Sequence, residues 1–400
     1  MLEPIKPIRE NIRNMSVFIA LLITFVILNF WVIWRTWRAL VLYPFALRLS
    51  VCILMGVLAF AFLATYRIPS NSFPVYLGLL AGSLWLAFFL YVLLQLIVVD
   101  LFRLLNHFFH WFPRLKHGNT PKLPAYVCLG VASVSVLICL LGWVNASNPV
   151  VQEAELTAKA QVKKQQTITI ALLSDLHLGR VIDASRFDNM IRLIEPYQPD
   201  MVLFVGDVID DHVGLDEAAM QKSISRLKPS LGIWGIVGNH EYIAGSIDDS
   251  MRILNNSGIQ VLKDDWATPG NKLLLVGRDD FSGKRITQKQ RASLEEILAT
   301  VPQKKRKLPL IVMDHQPHYL EHAGQAGAVL QVSGHTHNGQ LWPINYIIDY
   351  IYEHPHGHLQ KDDTHYWISV GAGTWGAPVR TNNRPEVVLI KLTLEPKSSQ

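Results

Sequence analysis

The hydrophobic pattern changes character along the chain. Up to residue 144 it comes in long unbroken runs. SVFIALLITFVILNFWVIW (16–34), LSVCILMGVLAFAFLATY (49–66), VYLGLLAGSLWLAFFLYVLLQLIVV (75–99) and AYVCLGVASVSVLICLLGWV (125–144) are each long enough to cross a bilayer. They predict a four-helix transmembrane anchor over 1–144. The first run is too long for a signal-peptide core and lacks a small-residue cleavage site, so it is expected to be retained. DLFRLLNHFFHWFP (100–113) repeats its apolar residues at helical spacing. It reads either as an interfacial helix or as a continuation of the third run.

Beyond 144 the runs shorten. NASNPVVQEAELTAKAQVKKQQ (145–166) is polar and reads as a linker. From 167 onward short β-prone runs alternate with amphipathic segments. Strands are expected at 167–174, 201–206, 232–237, 273–277, 309–313, 328–333, 366–370 and 386–394. Helices are expected at 184–196, 216–227, 246–256 and 287–300. Such alternation defines an α/β domain over 167–400.

Charge sharpens this division. The net charge is +5 and the pI about 9.0. Residues 1–150 hold 11 Lys+Arg against 3 Asp+Glu, whereas 151–400 hold 26 against 29. The basic excess sits beside the apolar runs, where it suits lipid headgroups. The second part has no surplus for a phosphate backbone, which excludes nucleic acid as a partner. The four runs contain no Asp, Glu, Lys, Arg or His, so they read as an anchor rather than a transport path. Cys52, Cys128 and Cys139 all lie in them, so residues 151–400 offer neither disulfide nor thiolate ligand.

An even number of spans puts both termini on one side. The loops after the first and third runs carry Arg35, Arg38, Arg48, Arg103, Arg114, Lys116 and Lys122. The other side carries Lys6, Arg9, Arg13 and Arg67, with Lys159, Lys163 and Lys164 farther out. This balance leans toward an exported α/β domain, on a bacterial plasma membrane.

The chemistry lies at the strand ends. SGHTHNGQ (333–340) places His335 and His337 on one side of extended backbone, after the run AVLQV. Asp175 and His177 follow TITIALLS, and Asp207 follows MVLFV. Asn239 and His240 follow GIWGIV, and His315 follows LPLIVM. In open α/β sheets ligands bind at the carboxyl ends of strands. Imidazole, carboxylate and amide oxygen without thiolate suit Mn, Fe or Zn. Seven candidate ligands exceed one ion's needs and suit two divalent ions sharing a carboxylate.

In this order D-x-H, GD, GNHE, H-x-P and GHTH resemble the calcineurin-like metallophosphoesterase superfamily, over about 167–394. GHTHNGQLWP and GAGTWGAPVRTNNRPEVVLIKL are similar to its membrane-associated bacterial branch. The branch includes transmembrane proteins with a metallophosphoesterase domain and phosphodiesterases similar to UDP-2,3-diacylglucosamine hydrolases. The resemblance implies a two-sheet β sandwich flanked by helices. It implies that Asp175, His177 and His337 bind one ion, that Asn239, His315 and His335 bind the other, and that Asp207 bridges them. His240 would be catalytic, and a hydroxide between the ions would attack phosphorus. The arginines that protein phosphatases of this superfamily carry near GDVIDD and GNHE are missing, which argues against a protein phosphatase.

Arg180 and Arg380, both near strand ends, are candidates for substrate phosphate. His212, His318, His322, His354, His356 and His358 read as surface or loop residues. LWPINYIIDYIY (341–352) is either a lipid-facing lip or interior packing, and Lys304–Lys307 a solvated loop. The expected activity is a membrane-anchored metal-dependent phosphoric ester hydrolase. Its substrate would be a phosphodiester or pyrophosphate, lipid-linked or of the envelope. Soluble nucleotides or monoesters are the alternative, and a non-catalytic membrane sensor or scaffold the alternative of another class.

Overall fold

The computed structural model describes residues 5–111 and 122–397, with side chains from residue 19 onward. Arg114 and Lys116, the end of the 100–113 segment and the side chains of Lys6, Arg9 and Arg13 lie outside the described residues. Packing divides the chain into two units, residues 1–68 with 77–139, and 69–76 with 140–400.

Four helices are long and apolar enough to cross a membrane: Ile19–Ala39, Phe45–Thr65, Phe73–Phe109 and Leu123–Ala146. The third continues unbroken through Phe109, so most of the 100–113 segment prolongs it. The first unit packs around Val32, Ala59, Trp85, Phe89 and Val92. Its interior polar groups are matched: Trp85 Nε1 donates to Asn29 Oδ1 at 3.0 Å, and Gln95 Nε2 to Ser135 Oγ at 2.8 Å. Arg35 pairs with Asp100 through both guanidinium nitrogens. These residues directly follow the first and third apolar runs. The pair therefore links the first and third helices just beyond their apolar runs.

The second unit is a sandwich of two six-stranded sheets. In chain order its strands are β1 (Val150–Ala160), β2 (Gln166–Leu173), β3 (Met201–Val205), β4 (Ile233–Ile236), β5 (Gln260–Val261) and β6 (Asp265–Ala267). Then come β7 (Leu274–Gly277), β8 (Leu310–Met313), β9 (Leu330–Ser333), β10 (Gly357–Lys361), β11 (Thr364–Ile368) and β12 (Glu386–Pro396). One sheet runs β1-β12-β2-β3-β4-β5 and the other β10-β11-β9-β8-β7-β6. Strands β2 to β5 are parallel, as are β7, β8, β9 and β11.

Alternate residues fill two layers. Ile168, Ile170 and Leu172 of β2, with Met201, Leu203 and Val205 of β3, face Ile311, Met313, Leu330 and Val332 in the central core. Ala171, Leu173, Val202 and Phe204 point the other way, onto Phe187, Met190, Ile191 and Ile194 of helix Ala184–Ile194. Burial on both faces explains why these strands read as continuous apolar runs.

The expected linker at 145–166 is corrected by the structure. Its residues 150–160 form β1, paired in parallel with β12 along eleven positions. Leu156, Ala158 and Ala160 turn inward while Glu153, Glu155 and Lys159 face solvent. Small inward residues on an edge strand carry little hydrophobic signal, so the alternation passed for a polar tether. The helix expected at 287–300 begins only at Leu294, because Ser293 caps it by accepting from Glu296 N–H.

Candidate metal centre

The parallel strands of both sheets end at one place. The backbone there turns left-handed at Asp175, His177, Asp207, His335 and His337, with φ between 46° and 72°. Non-glycine residues reach that region at a cost, and such strain gathers at functional sites. Glycines supply the room. A Cβ at Gly238 would overlap Asp207 Oδ1, and one at Gly206 would overlap the His315 ring.

The side chains gather in three groups, each with ligand atoms within 4.8 Å of one another: Asp175, His177 and His337; Asp207, His315 and His335; and His177, Asp210 and His240. In the first, His337 Nε2 lies 3.0 Å from His177 Nε2 and 3.4 Å from Asp175 Oδ1. In the second, His315 Nε2 lies 3.1 Å from Asp207 Oδ2. The same Asp207 oxygen is 3.9 Å from His177 Nε2, so one carboxylate reaches both groups.

The candidate ligand side chains are held from behind. His315 Nδ1 donates to Val205 O at 2.7 Å, which turns Nε2 inward. Asp175 accepts from Ser174 Oγ and, at 2.9 Å, from the His335 N–H. Asp207 Oδ1 accepts from the His240 N–H at 2.8 Å. Glu241 is buried and accepts from the backbone N–H groups of Asp207, Val208, Ile209 and Gly238, at 2.6–3.1 Å. It fixes the loop carrying Asp207 to the loop carrying Asn239. Behind His315, Arg278 and Arg291 both donate to Asp314.

Buried polar atoms left without hydrogen bonds test whether metal fits. They include His315 Nε2 and His335 Nδ1, which belong to the second group, and Asn239 Oδ1, on the loop that Glu241 ties to Asp207. Natural proteins leave few such atoms unsatisfied. Two imidazole nitrogens and the Asp207 carboxylate form a donor set that suits a divalent ion. Two close imidazole nitrogens beside the Asp175 carboxylate form another.

Electrostatics agrees. Burial, with His315 nearby, pushes His335 down to about 3. Burial, then His177 and Arg380, holds His337 well below its usual range. Both imidazoles stay neutral, the form that ligates metal. For His240, burial works downward but the carboxylates of Asp207, Asp210 and Glu241 prevail and lift it to about 9. Its Nδ1 lies 2.5 Å from Asp210 Oδ1. That oxygen is also 3.5 Å from His177 Nδ1.

Arg380 departs from expectation. It is fully buried, and its guanidinium donates to the carbonyls of Val370, Gly371 and Gly373 and to Asn383 Oδ1. It also lies 3.0 Å from His337 Nδ1. An arginine enclosed this way braces the loop behind the candidate ligand His337. Arg180 is only 9% exposed and pairs with Asp211. Among the other histidines, His212 contacts Ser250 Oγ at 2.8 Å, and His358 contacts His365 Nδ1 at 3.0 Å. His318 stacks on Tyr352, and His322 on Tyr319.

The supporting residues Asp210 and Glu241 stood in the motifs without a role. GDVIDD and GNHE did show acids three residues from Asp207 and next to His240. Their partners become visible only when the two loops meet.

Residues 168–339 match the family model described as calcineurin-like phosphoesterase. An uncharacterized metallophosphoesterase of Aquifex aeolicus (strain VF5) is 33% identical over 235 residues, covering 58% of this chain and 87% of that protein. A transmembrane protein with metallophosphoesterase domain from Danio rerio is 27% identical, covering 65% of this chain and 61% of that protein. Its namesake from Bos taurus is also 27% identical, covering 70% and 65%. This chain thus spans under two thirds of the two vertebrate relatives. It belongs to the calcineurin-like phosphoesterase family and is a metal-dependent phosphoester hydrolase with membrane-spanning helices.

Proposed function

We propose that the chain is a membrane-anchored dimetal phosphohydrolase for a phosphodiester or pyrophosphate on a lipid-linked or envelope substrate. The lipid reading rests on the segment after the GHTH loop. Trp342, Tyr346, Ile347, Tyr350 and Ile351, on and beside helix Asn345–Ile351, are 48, 64, 59, 92 and 55% exposed. The next residue, Tyr352, stacks on His318 at 4.8 Å and meets His335 at 6.3 Å between ring centroids. An apolar, aromatic surface of the kind that favours a membrane interface thus leads to a metal-facing histidine.

Asp175, His177 and His337 would hold one ion, Asn239, His315 and His335 the other, and Asp207 both. Two divalent ions, when bound, lower the pKa of water and offset charge on the phosphoryl oxygens. The chain does the rest. Asp210 accepts the Nδ1 proton of His240 and stabilises the imidazolium. His240 then carries a second proton at Nε2 and delivers it to the leaving oxygen. Asp207 holds the His240 backbone in place through its N–H, so this proton donor is indexed to the shared ligand.

The membrane would be the bacterial plasma membrane, with the second unit on its exported face. The test offers the purified chain, with Mn²⁺, vesicles bearing a pyrophosphate-headgroup lipid alongside ADP and p-nitrophenyl phosphate. Faster lipid cleavage that slows in Tyr350→Ser supports the reading. Faster cleavage of ADP or the aryl ester replaces it with a soluble substrate. No cleavage with two ions bound favours a sensor.

A further inference from the structure

Trp375 has no role in the scheme above. It lies in the segment between β11 and β12, and its side chain is 53% exposed. Its ring meets that of His240 with centroids 5.8 Å apart at 67°. Leaving a tryptophan half exposed gives up apolar burial, so exposure beside a buried proton donor calls for a reason.

Slack backbone is not that reason. Gln340, the last residue of SGHTHNGQ, is buried, and its amide clamps the Trp375 loop. Its Oε1 accepts the Trp375 N–H at 3.0 Å, and its Nε2 donates to Trp375 O at 3.1 Å and to Ala377 O at 2.8 Å. Its own carbonyl accepts from the N–H groups of Thr381 and Asn382, at 3.0 and 3.3 Å. Asn383 Nδ2 donates to His337 O at 2.7 Å. The loop bearing Trp375 is thereby tied to the loop bearing His335 and His337.

We propose that Trp375 is a specificity-determining residue whose exposed indole stacks on a ring in the leaving group of the substrate. This rests on the reading of His240 as the group that protonates the leaving oxygen. Whatever is bonded to that oxygen then emerges beside His240, where Trp375 stands. A flat aromatic ring and the apolar face of a sugar ring share the chemistry an indole recognises. Of the substrates proposed above, this favours phosphodiesters whose leaving group begins with a ring over pyrophosphates and over esters of flexible acyl or alkyl chains.

The test uses non-hydrolysable phosphonates whose CH₂ replaces the leaving oxygen: benzylphosphonate, cyclohexylmethylphosphonate and ethylphosphonate. Binding to the Mn²⁺-loaded full chain is measured by calorimetry, for wild type and for Trp375→Ala, Trp375→Leu and Trp375→Phe. The expected result is about tenfold tighter binding of a ring-bearing phosphonate than of ethylphosphonate, as for one stacked ring. Trp375→Ala and Trp375→Leu lose that preference at unchanged metal content, and Trp375→Phe keeps it. Preference for benzyl alone identifies an aromatic ring, and equal preference for cyclohexylmethyl a saturated one. Equal binding of all three by wild type, or a preference that survives in Trp375→Ala, overturns the assignment alone. If no phosphonate binds, the phosphoryl-site reading fails and this one with it.

Discussion

The Asp210 carboxylate lies 2.5 Å from Nδ1 of His240 and 3.5 Å from Nδ1 of His177, through one oxygen. A single acid therefore steadies both the group assigned to proton delivery and a candidate metal ligand, His177. Burial alone would raise Asp210, but hydrogen bonds to His177 and His240 prevail and hold it well below the usual carboxylate range. It stays ionised at any working pH. His240→Ala is expected to keep both metals and lose about 10²–10⁴ in kcat, the usual contribution of a positioned proton donor. Asp210→Asn should lose about 10–100-fold. Elemental analysis beside the kinetics checks this, and metal loss in His240→Ala would mean that His240 is a ligand.

Gly238 tests the packing without replacing a ligand. Its Cβ would overlap Asp207 Oδ1 and press on His315 Cδ2. Gly238→Ala should lower metal affinity by at least about tenfold, comparable to losing a group that orients a ligand. Fluorescence-detected titration with Mn²⁺ reads the change. Unchanged affinity would show that the two loops stand farther apart.

Arg380 supports three backbone carbonyls and His337. Arg380→Met should destabilise the second unit by about 3 kcal/mol or more, since several buried acceptors lose their donors. Arg380→Lys should recover little, because one ammonium cannot reproduce a planar fork. Thermal unfolding of both variants checks this. A substrate contact would instead leave stability unchanged and raise KM.

Metal uptake should release a proton. Without metal, burial presses His315 down, but Asp207 outweighs it and raises the imidazole well above its usual value. Its Nε2 proton then faces Asp207 at neutral pH and must leave before a metal can bind. Affinity should rise with pH across the neutral range until that proton is already gone. Calorimetry in buffers of different ionisation enthalpy would report about one proton released. Pure pH independence would separate His315 from the metal.

Much of this was legible in the chain because ligands follow strands. Ile170, Leu172, Val205 and Val332 made the runs conspicuous, and the residues just beyond them were the only polar groups that such runs could deliver together. What sequence could not show was support reached across the sandwich. Arg380 looked like a phosphate ligand because arginines near strand ends often are. Only the folded segment reveals that carbonyls 370, 371 and 373 enclose it. Gln340 closes SGHTHNGQ without a visible purpose, because its partners at 375 and 377 lie on another loop. β1 escaped notice because an edge strand can be built with alanines at 154, 158 and 160.

The central claim is that Asp207 unites two metal positions into one hydrolytic site. The most direct measurement is hydrolysis of bis(p-nitrophenyl) phosphate by the purified full chain with Mn²⁺, after chelation, and in Asp207→Asn, with metal content measured on each sample. The expected result is two ions per wild-type chain, cleavage abolished by chelation and restored by Mn²⁺. Asp207→Asn should bind less metal and turn over at least about 100-fold more slowly. Wild-type turnover and two ions retained in Asp207→Asn would contradict the claim.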